Sequence, residues 1–322
     1  MIDFLTPEGA AVALAVVLPL AALLVLVRRA RVVREVLGLR APERSEWIVP
    51  AAALATFACL VGAAAAQPAV TETRHEAVRT DVEAFFVIDT SRSMLAASGQ
   101  DGERRIDRAK SAAVALRNAI GDVPAGIASL TDRALPHLYP SANRQVFAQT
   151  MRRVVDVEHP PPLAPGARAT SFDPLESFAG SDLFFSPTVA RRVLVVLSDA
   201  EVRQTDASLL AARIKDGAPL RVVFVHVWED GERIFARDGT PEAAYRADPA
   251  STPQLAELAR LLGARTAGDD ELDVAVRAVR AAAGVGGATR RVERVETVAL
   301  APYAILASFA PLGLLLWRRN RA

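Results

Sequence analysis

The sequence predicts an α/β domain, doubly wound around a mainly parallel sheet and tied to three transmembrane helices. Three observations carry that expectation. From residue 82 to 283, strand-like apolar runs alternate with amphipathic helical segments, the pattern of a sheet covered by helices. Two of the runs, 83–89 and 193–199, are almost continuously apolar before they end in an acid, as a central strand covered on both faces is. Three stretches, 9–27, 47–66 and 298–317, hold no charged side chain, and each meets the length of about 20 apolar residues that a bilayer requires.

Charge orders the membrane elements. The N-terminal segment at 1–8 carries Asp3 and Glu8 with no basic side chain and is expected outside. After the first span, the loop at 28–46 carries Arg28, Arg29, Arg31, Arg34, Arg40 and Arg44, and short basic flanks mark the cytoplasmic side. The second span then leads outward to the domain. A linker at 284–297 reaches the third span, and the tail at 318–322, with Arg318, Arg319 and Arg321, is again cytoplasmic. The expected location is a multi-pass cell-membrane protein with the 82–283 domain outside the cytoplasm, and Arg290, Arg291 and Arg294 run against that charge pattern. One alternative stays open: basic residues precede the second run and Ala64 to Ala66 form a small-residue end, so cleavage after Ala66 is a competing reading. No charge lies at depth to suggest an ion or proton path, so the helices read as anchors.

Composition removes other classes. With 38 basic and 37 acidic side chains the net charge is +1, and no overall field draws the chain to nucleic acid. Cys59 is the only cysteine and lies inside the second apolar run, which excludes a disulfide framework and a cysteine metal cluster.

Within the domain, Ile106, Ala109, Ala113, Leu116 and Ile120 recur at helical spacing and predict a helix over 105–120. Short strands follow at 126–131 and 134–139, joined around Asp132 and Arg133, and then a helix at 143–155. Pro160, Pro161, Pro162, Pro165 and Gly166 punctuate an exposed loop. A helix at 209–215, a buried strand at 221–227 and helices at 252–262 and 270–283 complete the alternation, with no internal repeat.

Ligands of open parallel sheets gather at the carboxyl ends of strands. Asp89 ends one apolar strand and opens Asp89-Thr90-Ser91-Arg92-Ser93, which places two hydroxyls at two-residue spacing beside a carboxylate. Asp199 ends the other strand, and Thr170 lies in the Pro-bounded loop between them. Taken singly, a Ser or Asp after a strand is commonly a helix N-cap. Together, Asp89, Ser91, Ser93, Thr170 and Asp199 form an oxygen-only donor set suited to a hard divalent cation, Mg²⁺ first and Mn²⁺ or Ca²⁺ as alternatives.

This set, in this order and within Phe-Val-Ile-Asp-Thr-Ser and Val-Val-Leu-Ser-Asp contexts, resembles the metal ion-dependent adhesion site (MIDAS) of von Willebrand factor A (VWA) domains, over about residues 82–283. The resemblance implies a Rossmann-like fold, with Ser91 and Ser93 as direct ligands and Thr170 as a ligand that comes and goes. It also implies that Asp89 and Asp199 often act through waters, and that a partner protein's Asp or Glu fills the open position. Two residues depart from the family pattern: Arg92 and Ala200 stand where glycine is common. Arg92 is thereby a candidate contact for the acidic partner, and Glu201, two residues past Asp199, is another candidate at the site.

Over the whole chain, two leading spans, a VWA domain and a trailing span resemble the Bat, or aerotolerance-type, membrane proteins. That implies other VWA membrane proteins and a MoxR-type AAA+ ATPase system as associates, in assembly or maturation of an envelope complex. Two rivals remain. A metal-dependent phosphohydrolase would use Asp89 as nucleophile, but it needs a second acid where Ser91 stands, and the chain has no G-x-S-x-G, Walker A or H-E-x-x-H motif. A metal-free scaffold would use the fold for protein contacts alone. His75, His137, His159 and His226 lack ligand spacing, so no catalytic residue is expected and the protein reads as a binding module, not an enzyme.

Overall fold

The computed structural model describes residues 2–38, 44–159, 161–163, 170–180, 183–202 and 206–320. Pro160, the loop residues 164–169 with Pro165 and Gly166, Arg40 and Arg321 lie outside the described residues. The chain divides into two compact units, one of residues 1–75 with 293–322 and the other of residues 76–292.

In chain order, β1 (Ile2–Phe4) and a 3₁₀ stretch (Pro7–Val16) lead into α1 (Val17–Val36), followed by α2 (Arg44–Ala65) and β2 (Pro68–Arg79). The second unit continues with β3 (Val82–Asp89), α3 (Arg105–Ala119), β4 (Ala125–Leu130), β5 (Ala134–Ser141) and α4 (Arg144–Arg153). Then come α5 (Ser177–Gly180), β6 (Arg191–Ser198), α6 (Ala207–Asp216), β7 (Leu220–His226), α7 (Ser251–Leu262), β8 (Arg265–Gly268) and α8 (Leu272–Ala283). β9 (Thr289–Ala299) and α9 (Ala301–Arg319) close the chain.

The first unit holds three helical stretches long and apolar enough to cross a membrane: Pro7–Val36, Trp47–Ala65 and Ala301–Arg319. α2 packs against α9 and against the 3₁₀ stretch. The second of these contacts is close enough to require glycine: a Cβ on Gly62 would stand 2.7 Å from Ala13 Cβ. The expected boundaries need three corrections. The basic segment that begins at Arg28 is not loop from its start, because α1 runs on through Arg28, Arg29, Arg31 and Arg34. Arginine is a good helix former, and the helix stops only at Gly38, where φ is +66°. The stretch at 284–297 is not a free linker, since β9 begins at Thr289 in a segment rich in β-branched residues. The segment at 1–8, for which no element was expected, contains a strand: β1 pairs antiparallel with β2, Ile2 opposite Val70 and Phe4 opposite Pro68, in a small sheet of order β1-β2-β9.

In the second unit a six-stranded sheet has the order β5-β4-β3-β6-β7-β8, parallel except that β5 runs antiparallel to β4. Alternation along β3 fills two cores. Phe86 and Ile88 point to the face covered by α3, α4 and α8, with Ile106, Leu116, Phe147 and Val279. Phe85 and Val87 point to the face covered by α5, α6 and α7, with Phe178, Leu210 and Leu258. The domain is doubly wound for this reason: both faces of its central strands are apolar. β8, only four residues with one buried apolar side chain, is an edge strand that hydrophobic patterning does not reveal.

Candidate metal site

From β3 the chain crosses to β4 on one side, and β6 joins β3 on the other, so the sheet's switch point lies between β3 and β6. Open α/β sheets hold ligands there. Parallel pairing of Ile88 with Leu197 sets Asp89 beside Ser198 at the carboxyl end. Ser198 Oγ donates to Asp89 Oδ2 at 2.5 Å, and Thr170 Oγ1 donates to Asp89 Oδ1 at 2.7 Å. The Ser91 amide donates to the same Oδ1 at 2.9 Å, closing a tight turn that brings Ser91 Oγ to 2.9 Å from Ser93 Oγ.

Asp89 and Thr170 have no exposed surface. Burial pushes the Asp89 carboxyl up to about 6, and the charge of Asp199 adds to this; hydrogen bonds from Ser198, Thr170 and the Ser91 amide pull the other way. Asp199 is also fully buried, but a cation meets it: Arg105 Nη1 donates to Asp199 Oδ2 at 2.9 Å. The Glu201 amide donates to Asp199 Oδ1 at 3.0 Å. The turn holds Ala200 at φ +55°, a left-handed conformation that favours glycine.

Hydrogen bonds join four of the five predicted ligands, Asp89, Ser91, Ser93 and Thr170, while Asp199 acts on Asp89 through its charge and is itself bonded to Arg105 and the Glu201 amide. Of the two candidate contacts, Arg92 is partly exposed and forms an ion pair with Glu242 beside Ser93, in a cleft of about 310 Å³. Glu201 lines the same cleft, but its carboxylate is engaged inside the domain. It accepts from Arg105 Nη1 (2.8 Å), Tyr245 Oη (2.9 Å), Trp228 Nε1 (3.1 Å) and the Asp248 amide (3.1 Å). Burial and the neighbouring Asp199 raise its pKa. His226 ends β7 with Nε2 3.1 Å from the Asp199 carbonyl, a structural contact, and burial lowers its pKa.

Sequence reasoning missed Ser198, Arg105, Glu232 and Tyr245. Ser198 has a signal, standing next to Asp199 at a strand end. Arg105 has a subtler one: it continues the stripe of Ala109, Ala113 and Leu116 at helical spacing, an arginine on a buried face. Glu232 and Tyr245 come from the stretch between β7 and α7, and only the fold brings them near.

The oxygen-only chemistry of the donor set suits a hard cation, and the hydrogen-bonded hydroxyl pair has a spacing compatible with one. Two oxygens bound to Mg²⁺ at right angles, with bonds of about 2.0–2.1 Å, stand about 2.9 Å apart. Ser91 Oγ and Ser93 Oγ are 2.9 Å apart already. Both Asp89 oxygens are taken by donors, so Asp89 orients the hydroxyl groups around it.

No protein-family model matches the chain, and no curated protein matches it. The fold defines a class, a doubly wound α/β domain on a chain with three apolar helices among the described residues, and solved structures share that fold. An aerotolerance-related membrane protein from Bacteroides fragilis is 20% identical, with TM-score 0.48, over 62% of this chain and 98% of that one. BatB from Bacteroides thetaiotaomicron is 17% identical, with TM-score 0.45, over 62% and 97%. Manganese-loaded TRAP from Plasmodium vivax is 12% identical, with TM-score 0.42, over 70% and 82%.

Proposed function

We propose that residues 82–283 form a VWA-type domain that binds a divalent cation at Ser91, Ser93 and Thr170, oriented by Asp89 and Asp199, and presents that cation to a carboxylate of a partner protein. The observation that carries this reading is the Ser91–Ser93 hydroxyl pair at 2.9 Å beside the buried Asp89, at the switch point of the sheet. A bound cation would supply a fixed positive charge with coordination positions open to an outside oxygen. Arg92, at the mouth of the cleft beside Ser93, gives an incoming carboxylate a second positive group.

Ser91 in place of a second acid two residues after Asp89, and the contact of His226 with a backbone carbonyl, favour a binding role over a phosphohydrolase. The basic flanks Arg28 to Arg34 and Arg318 to Arg319 support a topology of three spans with the domain outside the cytoplasm. Under that topology a MoxR-type ATPase meets only the cytoplasmic segments, and other VWA membrane proteins meet the domain. Titration of the full-length protein in detergent with Mn²⁺ tests the site. Binding is expected for the natural sequence and lost in Ser91→Ala with Ser93→Ala; equal binding by both removes the proposal. Co-purification of a partner that a chelator and the same double variant abolish tests the second half.

A further inference from the structure

Arg105 opens α3 with no exposed side-chain surface and is surrounded by acids. Its Nη1 reaches Asp199 and Glu201, and its Nε donates to Glu232 Oε2 at 2.5 Å. Tyr245 Oη stands 3.0 Å from the same Nη1. Glu232, itself without exposure, is shared with Arg108, which also pairs with Asp269. The cluster sets two arginines against Asp199, Glu201, Glu232 and Asp269, and Asp89 adds a further acid beside Asp199. Buried carboxylates are strongly unfavourable unless a cation balances them. Without a metal, the cation in contact with Asp199 is Arg105, among the described residues.

We propose that Arg105 is a resident counter-cation for Asp199: it balances the buried acid when the divalent site is empty, so the domain keeps its fold while metal enters and leaves. This rests on the metal-binding reading above. Two effects of opposite sign follow. The positive charge stabilises the metal-free domain, and the same charge, touching an acid of the site, weakens cation binding. A residue that merely holds Asp199 in place would do the reverse to affinity, since its loss would scatter the site.

The test uses full-length protein in detergent with Arg105→Met, Arg105→Lys, and Arg105→Met combined with Glu232→Gln, which removes one acid along with the cation and keeps the test usable should the single variant fail to fold. Thermal melts in chelator and in Mn²⁺ are compared, alongside Mn²⁺ titration. In chelator the Met variants are expected to melt lower by about 10 °C, from loss of one side of a buried charge cluster. Their recovery by Mn²⁺ exceeds the natural protein's, and their Mn²⁺ affinity is at least about tenfold tighter, because metal stabilises a fold only through its affinity for that fold. The Lys variant stays near the natural values. Met-variant affinity equal to or weaker than the natural protein's overturns the counter-cation role while the metal site stands. If the natural protein binds no Mn²⁺, both the site and the counter-cation fall together.

Discussion

Asp89 and Asp199 end neighbouring apolar strands, both fully buried, yet the protein treats their charges differently. Asp89 is held by two hydroxyls and an amide, all neutral, and its carboxyl is pushed up to about 6. Asp199 touches the guanidinium of Arg105, which burial alone would make less basic and which Asp199 and Glu201 keep charged. One acid is left short of positive charge and the other has it built in. That asymmetry is what a site for an exchangeable cation needs: a vacancy of charge at Asp89 and a permanent support for its neighbour.

The comparison breaks most visibly in the metal-free protein by replacing each acid with its amide. Asp199→Asn is expected to destabilise by about 3 kcal/mol, because Arg105 loses a buried partner. Asp89→Asn should be near neutral or stabilising, since it removes a desolvated charge and keeps an acceptor for Ser91 and Thr170. Chelator-treated denaturation curves read both, and equal losses would show that the two acids are not distinct. Ser198→Ala takes a hydroxyl from Asp89 and is expected to cost about 2 kcal/mol, as hydrogen bonds to charged groups do, with weaker Mn²⁺ binding.

The Asp89 carboxyl titrates higher folded than unfolded, so the metal-free folded state binds more protons than the unfolded state between about pH 4 and 6. Its contribution to stability therefore falls as pH rises through that window. The natural protein minus Asp89→Asn should show that negative slope in chelator, and a flat difference would refute the assignment. Arg92→Ala sharpens the comparison from outside. The Arg92–Glu242 pair is partly exposed, so its loss should cost under about 1 kcal/mol, while capture of an acidic partner weakens.

Much of this was legible in the sequence. The continuous apolar runs at 83–89 and 193–199 predict central strands, and β3 and β6 are the adjacent pair at the middle of the sheet. The five oxygen donors could be named because strand ends and two-residue spacing are local features. The helix boundary near Arg28 and the strand at 289–299 could not, since apolar content ends before α1 does and a polar strand shows itself only when paired. Two-residue spacing from Asp199 puts Glu201 at the site, but its bonds to Arg105 and Tyr245 come from distant segments and no local pattern shows them.

Hydrophobic periodicity and the order of chemical groups along the chain by themselves determined the α/β alternation, the three apolar helices and the donor set. Tertiary structure alone decided which acid is charge-balanced. Arg105 meets Glu232 across 127 positions and Asp199 across 94, and pairing between residues so far apart is settled by how helices and strands pack, which no local pattern records.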